Sequence, residues 1–405
     1  MDRHASFFAM RQTRLMPQEE MLETGRQRHR LTIGVPSENM KMENRVPLTP
    51  QGVEILVQNG HQVIIEKGAG DAANYFDSDF AAAGGIIALS RQEVYKNSEV
   101  ILKISPPSEE EMELMQYNQL LFSFVYMLSQ SRDSFIKLMS RRINAVAYEF
   151  LKDETGCYPV IRTMSEIEGY TAIQVAAEYL SKAHGGKGVL LGGITGVSPS
   201  EVVIIGAGTA GEFATKAALG LGCQVKVFDN SYQNLRELER NVGQRLFTSI
   251  LHPQVLTKAL QSADAVVASL RYFEADNGFF ITREQIGKMK PGSVIVDLSV
   301  GSGSCFEDAQ TCHSNHPYIN ERGIIHYSLP NLASRVSRTA SIALSNIFVP
   351  VLLKLAEAGD IHRLIKEDSS ICNGTYIYKG ILTNNHIGQQ YAIPSKDIGL
   401  LLAAF

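Results

Sequence analysis

The chain has 405 residues, of which 44% are hydrophobic and 20% are charged. Lys and Arg number 38 and Asp and Glu number 42, so the net charge of −4 excludes a globally basic nucleic-acid-binding protein. Small molecules or proteins are therefore the expected partners. At roughly 100–200 residues per domain, the length predicts two or three domains that each bury a hydrophobic core.

The cysteines and the apolar runs indicate the compartment. The chain has five cysteines, which are widely separated and include no Cys-x-x-Cys pair. This odd number and spacing are typical of reduced thiols, so a cytoplasmic protein is expected. No apolar run approaches the ~18 residues that a membrane span requires, so we also expect a soluble protein without a membrane partner.

Residues 1–30 form an Arg-rich segment that also contains Glu19, Glu20 and Glu23. This segment lacks the apolar stretch of a signal peptide, and its acidic residues argue against an organelle transit peptide. We therefore expect an N-terminal extension that is mobile or loosely docked.

Regular structure is predicted from Leu31 onwards. Apolar strand patterns occur in LTIGVP, HQVIIEKGAG, VILKIS, LLFSFVYM and NAVAYEF, and FAAAGGIIAL is predicted as a helix followed by a strand. Helical patterns separate some of these strands. In the first helix, Thr49 is the expected N-cap, Pro50 takes the first helical position and Gly60 lies beyond the end. This alternation of strands and helices predicts a parallel α/β architecture.

A second α/β unit begins at Glu201, with strands in EVVIIGAG, QVKVFDN, AVVASL and SVIVDLS. Two long apolar helices, at 165–184 and 337–358, flank this unit, which is the pattern of an inserted domain with a helical hinge. We therefore predict an α/β fold of two Rossmann-like parallel-sheet domains, one inserted into a discontinuous other. The predicted boundaries are 1–30 for the extension, 31–160 with 340–405 for the discontinuous domain, and 161–339 for the inserted domain.

A glycine-rich turn follows the first strand of the inserted domain. Gly206, Gly208 and Gly211 form a G-x-G-x-x-G pattern between a strand and a helix. The first glycine suits a tight turn, the second admits a pyrophosphate close to the backbone, and the third lets helix and strand pack closely. The helix N-terminus then offers free N–H groups to the phosphates. The alternative is a tight turn without a ligand.

Asp229 ends the next strand of the inserted domain. An acidic residue about 20 residues after the first glycine hydrogen-bonds the ribose hydroxyls of an adenosine and disfavours a 2′-phosphate. No Lys or Arg follows Asp229 until Arg236. The inserted domain is therefore predicted to bind NAD in preference to NADP, and the discontinuous domain to hold the substrate.

Four potential metal ligands lie close together at Cys305, Cys312, His313 and His316. Their spacing lacks the paired cysteines that are typical of a structural zinc site. We expect a loop with incidental polar residues and no metal.

Several motifs between residues 31 and 394 carry a family resemblance. They are IGVPSENMKMENRVPLTPQGVEILVQNGHQV, EKGAG, VILKIS, MSEIEGYTAIQVAAEYL, GGKGVLLGGITGVSPSEVVIIGAGTAG, MKPGSVIVDLS, CFE and TASIALSN. In this order they resemble the alanine dehydrogenase family, which is related to the NAD-binding alpha component of proton-translocating transhydrogenase. The resemblance implies an active site in the cleft between two domains and a homo-oligomer, either a dimer or a hexamer. It also implies cofactor contacts from Ser165, Thr209, Ala210, Asp229 and Asn331.

The resemblance further implies that Arg45 binds the carboxylate of pyruvate or alanine. A planar guanidinium suits a carboxylate because it can donate two parallel hydrogen bonds. The alternative for Arg45 is a surface ion pair with Glu43. By the same resemblance, Lys103 contacts the carboxylate or carbonyl oxygen of the substrate. A lone Lys in an apolar strand is costly to bury without a partner, which also favours a site role.

Three positions depart from the family pattern. Tyr126 stands where the family has its catalytic His, Gly301 where it has an active-site Asp, and Gln310 where it has an Arg. A Tyr has an unperturbed pKa near 10, so it can donate a hydrogen bond but is a poor base at neutral pH. Slow amination is therefore expected. His326 could replace the imidazole, although the sequence favours an ordinary histidine near a strand end.

Three functions remain open from the sequence. The favoured one is an NAD-dependent dehydrogenase of the alanine type, which interconverts a small L-amino acid with its 2-oxo acid and ammonium and uses Tyr126 as proton donor or orienter. The second is an NAD-binding paralogue without amination activity, such as a redox sensor or a binding module. The third is a transhydrogenase-like NAD(H) component, which would need a membrane partner.

Overall fold

The computed structural model describes residues 29–38, 43–126, 130–270, 281–300, 303–307, 309, 318–319 and 322–404. The extension predicted at 1–30 lies almost entirely outside these residues. Within them, the chain forms two separate β-sheets whose strands alternate with helices.

The first part of the chain alternates strands and helices as the apolar patterns predicted. The strands are β1 (Thr32–Val35), β2 (Gln62–Glu66), β3 (Ile86–Ala88), β4 (Val100–Leu102), β5 (Leu120–Ser123) and β6 (Asn144–Ala147). The helices are α1 (Pro50–Gln58), α2 (Asp77–Ala82), α3 (Arg91–Asn97), α4 (Glu109–Leu114) and α5 (Arg132–Ser140). Short 3₁₀ turns follow β2 and β6, at Asp71–Ala73 and Tyr148–Phe150.

The middle part begins with the long helix α6 (Pro159–Leu180) and a 3₁₀ turn at Lys182–His184. Its strands are β7 (Glu201–Ile205), β8 (Gln224–Phe228), β9 (Phe247–Ser249), β10 (Ala265–Ala268), β11 (Val294–Asp297), β12 (Tyr318–Ile319) and β13 (Ile325–Tyr327). Its other helices are α7 (Thr209–Gly220), α8 (Tyr232–Val242), α9 (Pro253–Ser262) and α10 (Arg283–Ile286). The short strands β9 and β12 were not identified from the sequence patterns, whereas His326, expected near a strand end, lies in β13.

The last part begins with a 3₁₀ turn at Leu332–Val336 and consists mainly of helices. These are α11 (Ser337–Ala358), α12 (Ile361–Glu367), α13 (Ser369–Gly374), α14 (Asn385–Tyr391) and α15 (Ile398–Ala404). Between α13 and α14 lie the strands β14 (Thr375–Tyr378) and β15 (Ile381–Leu382). The helix α11 has the bounds that the sequence predicted.

Both sheets have the strand order of a doubly wound nucleotide-binding fold. The first runs β3-β2-β1-β4-β5-β6-β14-β15 and the second β9-β8-β7-β10-β11-β13-β12. Counted from the first strand of each sheet, the parallel strands follow the order 3-2-1-4-5-6. The antiparallel strands β14 and β15 return to the first sheet after the second is complete. The prediction of two Rossmann-like domains, one inserted into the other, is confirmed, and the predicted boundaries stay predictions.

The ends of the long helices follow from local chemistry. Thr49 caps α1, since its side chain accepts a hydrogen bond from the backbone N–H of Gly52, and Pro50 occupies the first turn. Helix α6 starts at Pro159 rather than at the predicted Ser165, because proline is well suited to the first helical position. It ends at Leu180, where the 3₁₀ turn takes over.

Helix α11 corrects one sequence expectation. By length and composition, the segment Leu332–Ala358 is long and apolar enough to cross a membrane, and half of its most apolar stretch is buried inside the protein. Leu344, Phe348 and Leu352 of this helix belong to the hydrophobic core of the first sheet. The expected absence of such a segment was therefore wrong, and this core position explains the apolar composition of the helix.

Helix α6 joins the two sheets by a close contact with α7. A Cβ atom on Gly169 of α6 would overlap the carbonyl oxygen of Ala210 and lie 2.9 Å from the amide nitrogen of Ala214, both in α7. Only glycine lets the two helix backbones approach this closely. The first turn of α7 is thereby held against α6.

We expect Gly169→Ala to lower the free energy of unfolding by roughly 1–3 kcal/mol, because the overlapping atoms belong to backbone that cannot move aside. The matched control is Gly220→Ala at the end of α7, where an added Cβ meets no atom within 4 Å. This control should be unchanged or slightly more stable. Urea denaturation of both variants measures the difference, and equal stabilities would contradict the close contact.

Candidate active site

Three of the predicted site residues follow the carboxyl ends of parallel strands. Lys103 directly follows β4, Tyr126 lies shortly after β5 and Gly206 directly follows β7. In doubly wound sheets a crevice opens where the strand order reverses, which is between β1 and β4 in the first sheet and between β7 and β10 in the second. Ligands bind in such crevices, so both sheets present a binding edge.

Arg45 lies between β1 and α1 and is buried, with 3% of its surface exposed. Its Nε and Nη2 donate hydrogen bonds to the two carboxylate oxygens of Glu43, at 2.8 and 2.7 Å. The alternative ion pair with Glu43 is therefore present, but in the interior instead of on the surface. Burial disfavours the charge, yet the attraction and hydrogen bonds of Glu43, joined by Tyr126, raise the pKa of Arg45 above its ordinary value.

Serine hydroxyls hold the irregular segment that carries Arg45. Ser334, Ser341 and Ser345 each accept a hydrogen bond from a backbone N–H group of this segment, at 2.7, 2.9 and 3.2 Å. These bonds satisfy buried N–H groups that no strand or helix satisfies. Ser341 and Ser345 are four residues apart on α11 and share one face. The serines in the apolar TASIALSN motif therefore position Arg45.

Tyr126 contacts Arg45 although the two residues are far apart in the sequence. Nη2 of Arg45 donates to the hydroxyl oxygen of Tyr126 at 3.3 Å. The Tyr126 ring stacks on Phe124, with the ring centroids 5.1 Å apart. Burial raises the pKa of Tyr126, so the phenol is neutral at physiological pH. A neutral phenol can donate a hydrogen bond to a ligand oxygen but is a poor base near neutrality.

Glu149, in the 3₁₀ turn after β6, supports the backbone beside Tyr126. Its Oε1 accepts hydrogen bonds from the N–H groups of Val125 and Tyr126, at 2.8 and 3.3 Å. Its Oε2 is buried without a hydrogen-bond partner among the described residues. Burial, partly opposed by backbone hydrogen bonds, raises the pKa of Glu149 to about 7. This side chain therefore changes its charge near neutral pH.

Lys103 is fully buried and is held by two carboxylates. Its Nζ lies 3.2 Å from Oε2 of Glu38 and 3.1 Å from Oε1 of Glu111. Burial disfavours the ammonium, but the two carboxylates together raise the pKa of Lys103 above its ordinary value. Protein partners thus account for the burial of this Lys. Two of the three ammonium donors are engaged by these carboxylates, and the side chain is fully buried.

Glu38 ties the loop after β1 to the end of β4. Its two carboxylate oxygens accept hydrogen bonds from the backbone N–H groups of Ile104 and Ser105, at 2.6 and 3.1 Å. Burial, which outweighs the attraction of Lys103, raises the pKa of Glu38. In the part of the chain that the structure describes, Arg45 bonds Tyr126 but not Lys103, so the two predicted cations belong to separate networks.

Two hydrogen bonds tie the ion pair to elements that carry predicted cofactor residues. Nη1 of Arg45 donates to the sulfur of Met164 in α6, at 3.3 Å. Nδ2 of Asn331 donates to Oε2 of Glu43 at 2.6 Å. Asn331 has a left-handed conformation, with φ of 70°, at the start of the 3₁₀ turn before α11. This predicted cofactor contact thus lies beside the Arg45 pair.

Ser165, the next residue after Met164, lies one helical turn before Gly169 in α6. Residues four apart share a helix face, so Ser165 is on the face that packs against α7. The five helical steps from Met164 to Gly169 span about 7.5 Å. Helix α6 therefore places Arg45 and the start of α7 within the reach of one dinucleotide.

The glycine-rich turn has the geometry that a pyrophosphate requires. Gly206 has a φ of 101°, which favours glycine, and a Cβ on Gly211 would overlap the Gly206 carbonyl oxygen. A Cβ on Gly208 would meet no atom within 4 Å, so the space beside this residue is open to a ligand. Thr209 and Ala210 form the first turn of α7, where N–H groups have no intrahelical partner. These residues fit a dinucleotide phosphate.

Asp229 directly follows β8, and its side chain lies beside the glycine-rich turn. Oδ2 accepts a hydrogen bond from the N–H of Ala207 at 2.6 Å, and Oδ1 accepts one from Ser231 at 2.7 Å. A carboxylate has about four acceptor positions, so both oxygens can also accept from ribose hydroxyls. Asp229 therefore holds the position after the second strand from which an acidic residue contacts the ribose in dinucleotide-binding folds.

Several residues singled out from the sequence lie outside the described residues. They are Gly301, Gln310, Cys312, His313 and His316. Nearby, Asp297 at the end of β11 accepts hydrogen bonds from the hydroxyls of Ser299 and Ser304, at 2.7 and 2.5 Å. Burial raises the pKa of Asp297. His326 is 1% exposed in β13 and packs edge-on against Phe306, as expected for an interior histidine.

Sequence reasoning missed three residues of this site. Glu43 was considered only as a surface partner of Arg45, and neither Glu149 nor Met164 was singled out. Glu149 carries the same signal that drew attention to Lys103, since it is a lone charged residue at the end of an apolar strand pattern. Glu43 and Met164 carry no such signal because their roles arise from contacts between distant segments.

Family models match nearly the whole chain. Residues 34–168 match the model described as alanine dehydrogenase/PNT, N-terminal domain. Residues 172–385 match the model described as alanine dehydrogenase/PNT, C-terminal domain. The two matches meet within α6.

Individual proteins are similar over the same extent. The alanine dehydrogenase of Mycolicibacterium smegmatis is 35% identical over 373 residues, which are 92% of this chain and 100% of that protein. The alanine dehydrogenase of Methanococcus maripaludis is 36% identical over 366 residues, 90% and 97% of the two chains.

Solved structures extend this similarity to the fold. An L-alanine dehydrogenase superposes with a TM-score of 0.82 at 33% identity, covering 89% of this chain and 99% of that one. A transhydrogenase from Sinorhizobium meliloti superposes with a TM-score of 0.73 at 21% identity, covering 88% and 99%. The second likeness concerns the fold alone.

We expect Lys103→Met to lower the free energy of unfolding by about 3–5 kcal/mol, because buried Glu38 loses its cation and buried Glu111 keeps only Arg91, whose Nη1 is 3.7 Å away. The matched control is Lys137→Met, which removes an exposed ion pair with Glu113 and should change little. Urea denaturation at neutral pH without ligands measures both. A Lys103→Met variant as stable as the wild type would argue against the structural role and in favour of a direct ligand contact.

Proposed function

Because the chain belongs to the alanine dehydrogenase/PNT family, we propose that it is an NAD-dependent oxidoreductase of the alanine dehydrogenase type. It interconverts a small L-amino acid with its 2-oxo acid and ammonium. The observation that carries this proposal is the buried Arg45, whose guanidinium bonds Tyr126 and also Met164 of the helix that packs against the nucleotide turn.

Arg45 binds the carboxylate of the substrate. A guanidinium has five N–H donors, and four are engaged by Glu43, Tyr126 and Met164. The fifth, on Nη1, has no partner among the described residues. It is the donor available to a ligand carboxylate, and the Tyr126 hydroxyl stands beside it as a second polar contact. Lys103 supports the site through Glu38, and its direct contact with the substrate stays a prediction.

The nucleotide would be NAD. The glycine-rich turn would hold its pyrophosphate, Asp229 its adenosine ribose, and Ser165 and Asn331 would contact it nearer to Arg45. When bound, NADH would be the hydride source for reduction of the substrate. Helix α6 keeps the turn and Arg45 at a fixed separation, so a substrate on Arg45 is presented to the cofactor in one orientation.

Tyr126 occupies the position of the family's catalytic His and limits amination. Loss of a positioned acid or base typically costs ~10²–10⁴ in rate, and the raised pKa of this phenol keeps it neutral. Tyr126 therefore orients the substrate and donates a hydrogen bond, but does not remove a proton from ammonium or water. This observation also favours the second candidate, an NAD-binding paralogue without amination activity.

The compartment and assembly are also inferred. Among the described residues Cys157, Cys223, Cys305 and Cys372 are free thiols, which supports a reducing, cytoplasm-like compartment. A homo-oligomer is proposed from the family resemblance alone.

We expect alanine-dependent NAD⁺ reduction, and NADH oxidation that requires both pyruvate and ammonium, at a low kcat. Arg45→Lys should raise the KM for pyruvate at least tenfold, because an ammonium cannot bond both oxygens of Glu43 as the guanidinium fork does and still donate to the ligand from the same place. It should leave NADH affinity unchanged. Tyr126→His should raise kcat towards the ~10²–10⁴-fold contribution of a positioned base.

Tyr117→His is the control for the second substitution, because Tyr117 is 68% exposed. It should leave the amination rate unchanged. If neither the wild type nor Tyr126→His turned over while both bound NADH, the NAD-binding paralogue would be the better description.

Cofactor choice is tested by calorimetric titration of NADH and NADPH. The wild type should bind NADH more tightly, because the Asp229 carboxylate repels a 2′-phosphate. Asp229→Asn should reduce the ratio of the NADPH Kd to the NADH Kd by roughly tenfold, since it removes the charge. It should also raise the Kd of NADH a few-fold, since one hydrogen-bond acceptor is lost. Tighter NADPH binding by the wild type would contradict the role of Asp229.

A further inference from the structure

The backbone of Tyr126 has a conformation that few residues with a side chain adopt. Its φ is 44°, in the left-handed region that favours glycine. Such a conformation persists at functional sites only where neighbouring groups fix it. Because the phenol reaches Arg45 from this backbone, whatever fixes the backbone also sets the contact between the two side chains.

The carboxyl group of Glu149 is the group that holds this backbone. A single oxygen, Oε1, receives the N–H groups of both Val125 and Tyr126. The turn that carries Glu149 is itself fixed, because the hydroxyl of Tyr148 bonds the carbonyl oxygens of Lys103 and Phe122. The carboxyl group is thus anchored to the ends of β4 and β5, from which the site residues extend.

The charge of Glu149 affects three nearby tyrosine side chains. Tyr126 lies just after β5, Tyr148 is in the 3₁₀ turn with Glu149, and Tyr376 is in β14. Burial raises the pKa of each of these phenols. The pKa of Glu149 itself is set by burial and by backbone N–H groups of Glu149, Val125 and Tyr126. When this carboxyl group gains or loses a proton, the change is therefore felt mainly by the backbone that it holds.

We propose that Glu149 is a positioning residue of the carboxylate site, which holds the Tyr126 backbone so that the phenol stands against Arg45, and that its ionisation strengthens this hold. An ionised carboxylate accepts shorter and stronger hydrogen bonds than a neutral carboxyl group does. Oxo-acid binding is then tighter when Glu149 is ionised than when it is protonated. This inference rests on the proposed function, since it places the oxo acid beside Arg45 and Tyr126.

The test uses oxamate, an unreactive isostere of pyruvate, titrated by calorimetry into the NADH-saturated protein at pH values on both sides of neutrality. For the wild type, the Kd of oxamate should rise several-fold as the pH falls through about 7. Glu149→Gln keeps the accepting Oε1 and cannot ionise, so its Kd should be independent of pH and close to the low-pH value of the wild type. Glu149→Leu removes the hydrogen-bond acceptor and should raise the Kd of oxamate further at every pH.

Affinity for NADH, which depends on the second sheet, should be unchanged in both variants and reports that they are folded. A wild-type Kd that rises with pH would mean that the carboxylate acts by repelling the ligand, and a pH dependence that survives in Glu149→Gln would assign the titration to another group, such as Glu38. Either result overturns the inference. If both Glu149 variants bound oxamate as the wild type does, only the inference about Glu149 would be overturned. If the wild type bound NADH but not oxamate, the proposed carboxylate site would be overturned as well.

Discussion

The buried ion pair between Glu43 and Arg45 is the contact on which the rest of the site depends. A guanidinium in the interior is tolerated only when a well-placed anion compensates it, and Glu43 does so through both carboxylate oxygens. Glu43 is held in turn by Asn331, from the segment that leads back from the inserted sheet into α11. The orientation of Arg45 is therefore set jointly by the loop after β1 and by the junction with the second sheet.

The two buried cations beside the first sheet differ in the groups that compensate their charge. Two carboxylates compensate the charge of Lys103, an arrangement that suits a compact ammonium. Arg45 has one carboxylate, and a phenol and a thioether share its remaining described contacts. A cation with a single counter-ion can accept a ligand carboxylate more readily than one that already holds two. This difference is why Arg45 is the better candidate for substrate binding.

Two sheets of the same strand order can form one site because their binding edges are joined by α6. The helix contacts Arg45 through Met164 and, at Gly169, packs against the helix that follows the glycine-rich turn. A rigid helix transmits position over these few residues, whereas a flexible linker would leave the separation undefined. The serine hydroxyls of α11 have a similar effect, since they give the irregular segment around Arg45 a fixed place on the core.

The sequence by itself determined the α/β class, the insertion of one domain into the other, the capped start of α1 and the glycine-rich turn before α7, because hydrophobic periodicity, capping residues and glycine spacing act over short distances. It also singled out Arg45 and Tyr126, which are hydrogen-bonded to each other in the structure. Only the tertiary structure decided which side chains meet: Glu43 bonds Asn331 across 288 residues, and Arg45 bonds Tyr126 across 81. The pairing of Lys103 with two carboxylates and the hold of Glu149 on Tyr126 have the same origin, since burial and charge compensation depend on segments that only the folded chain brings together.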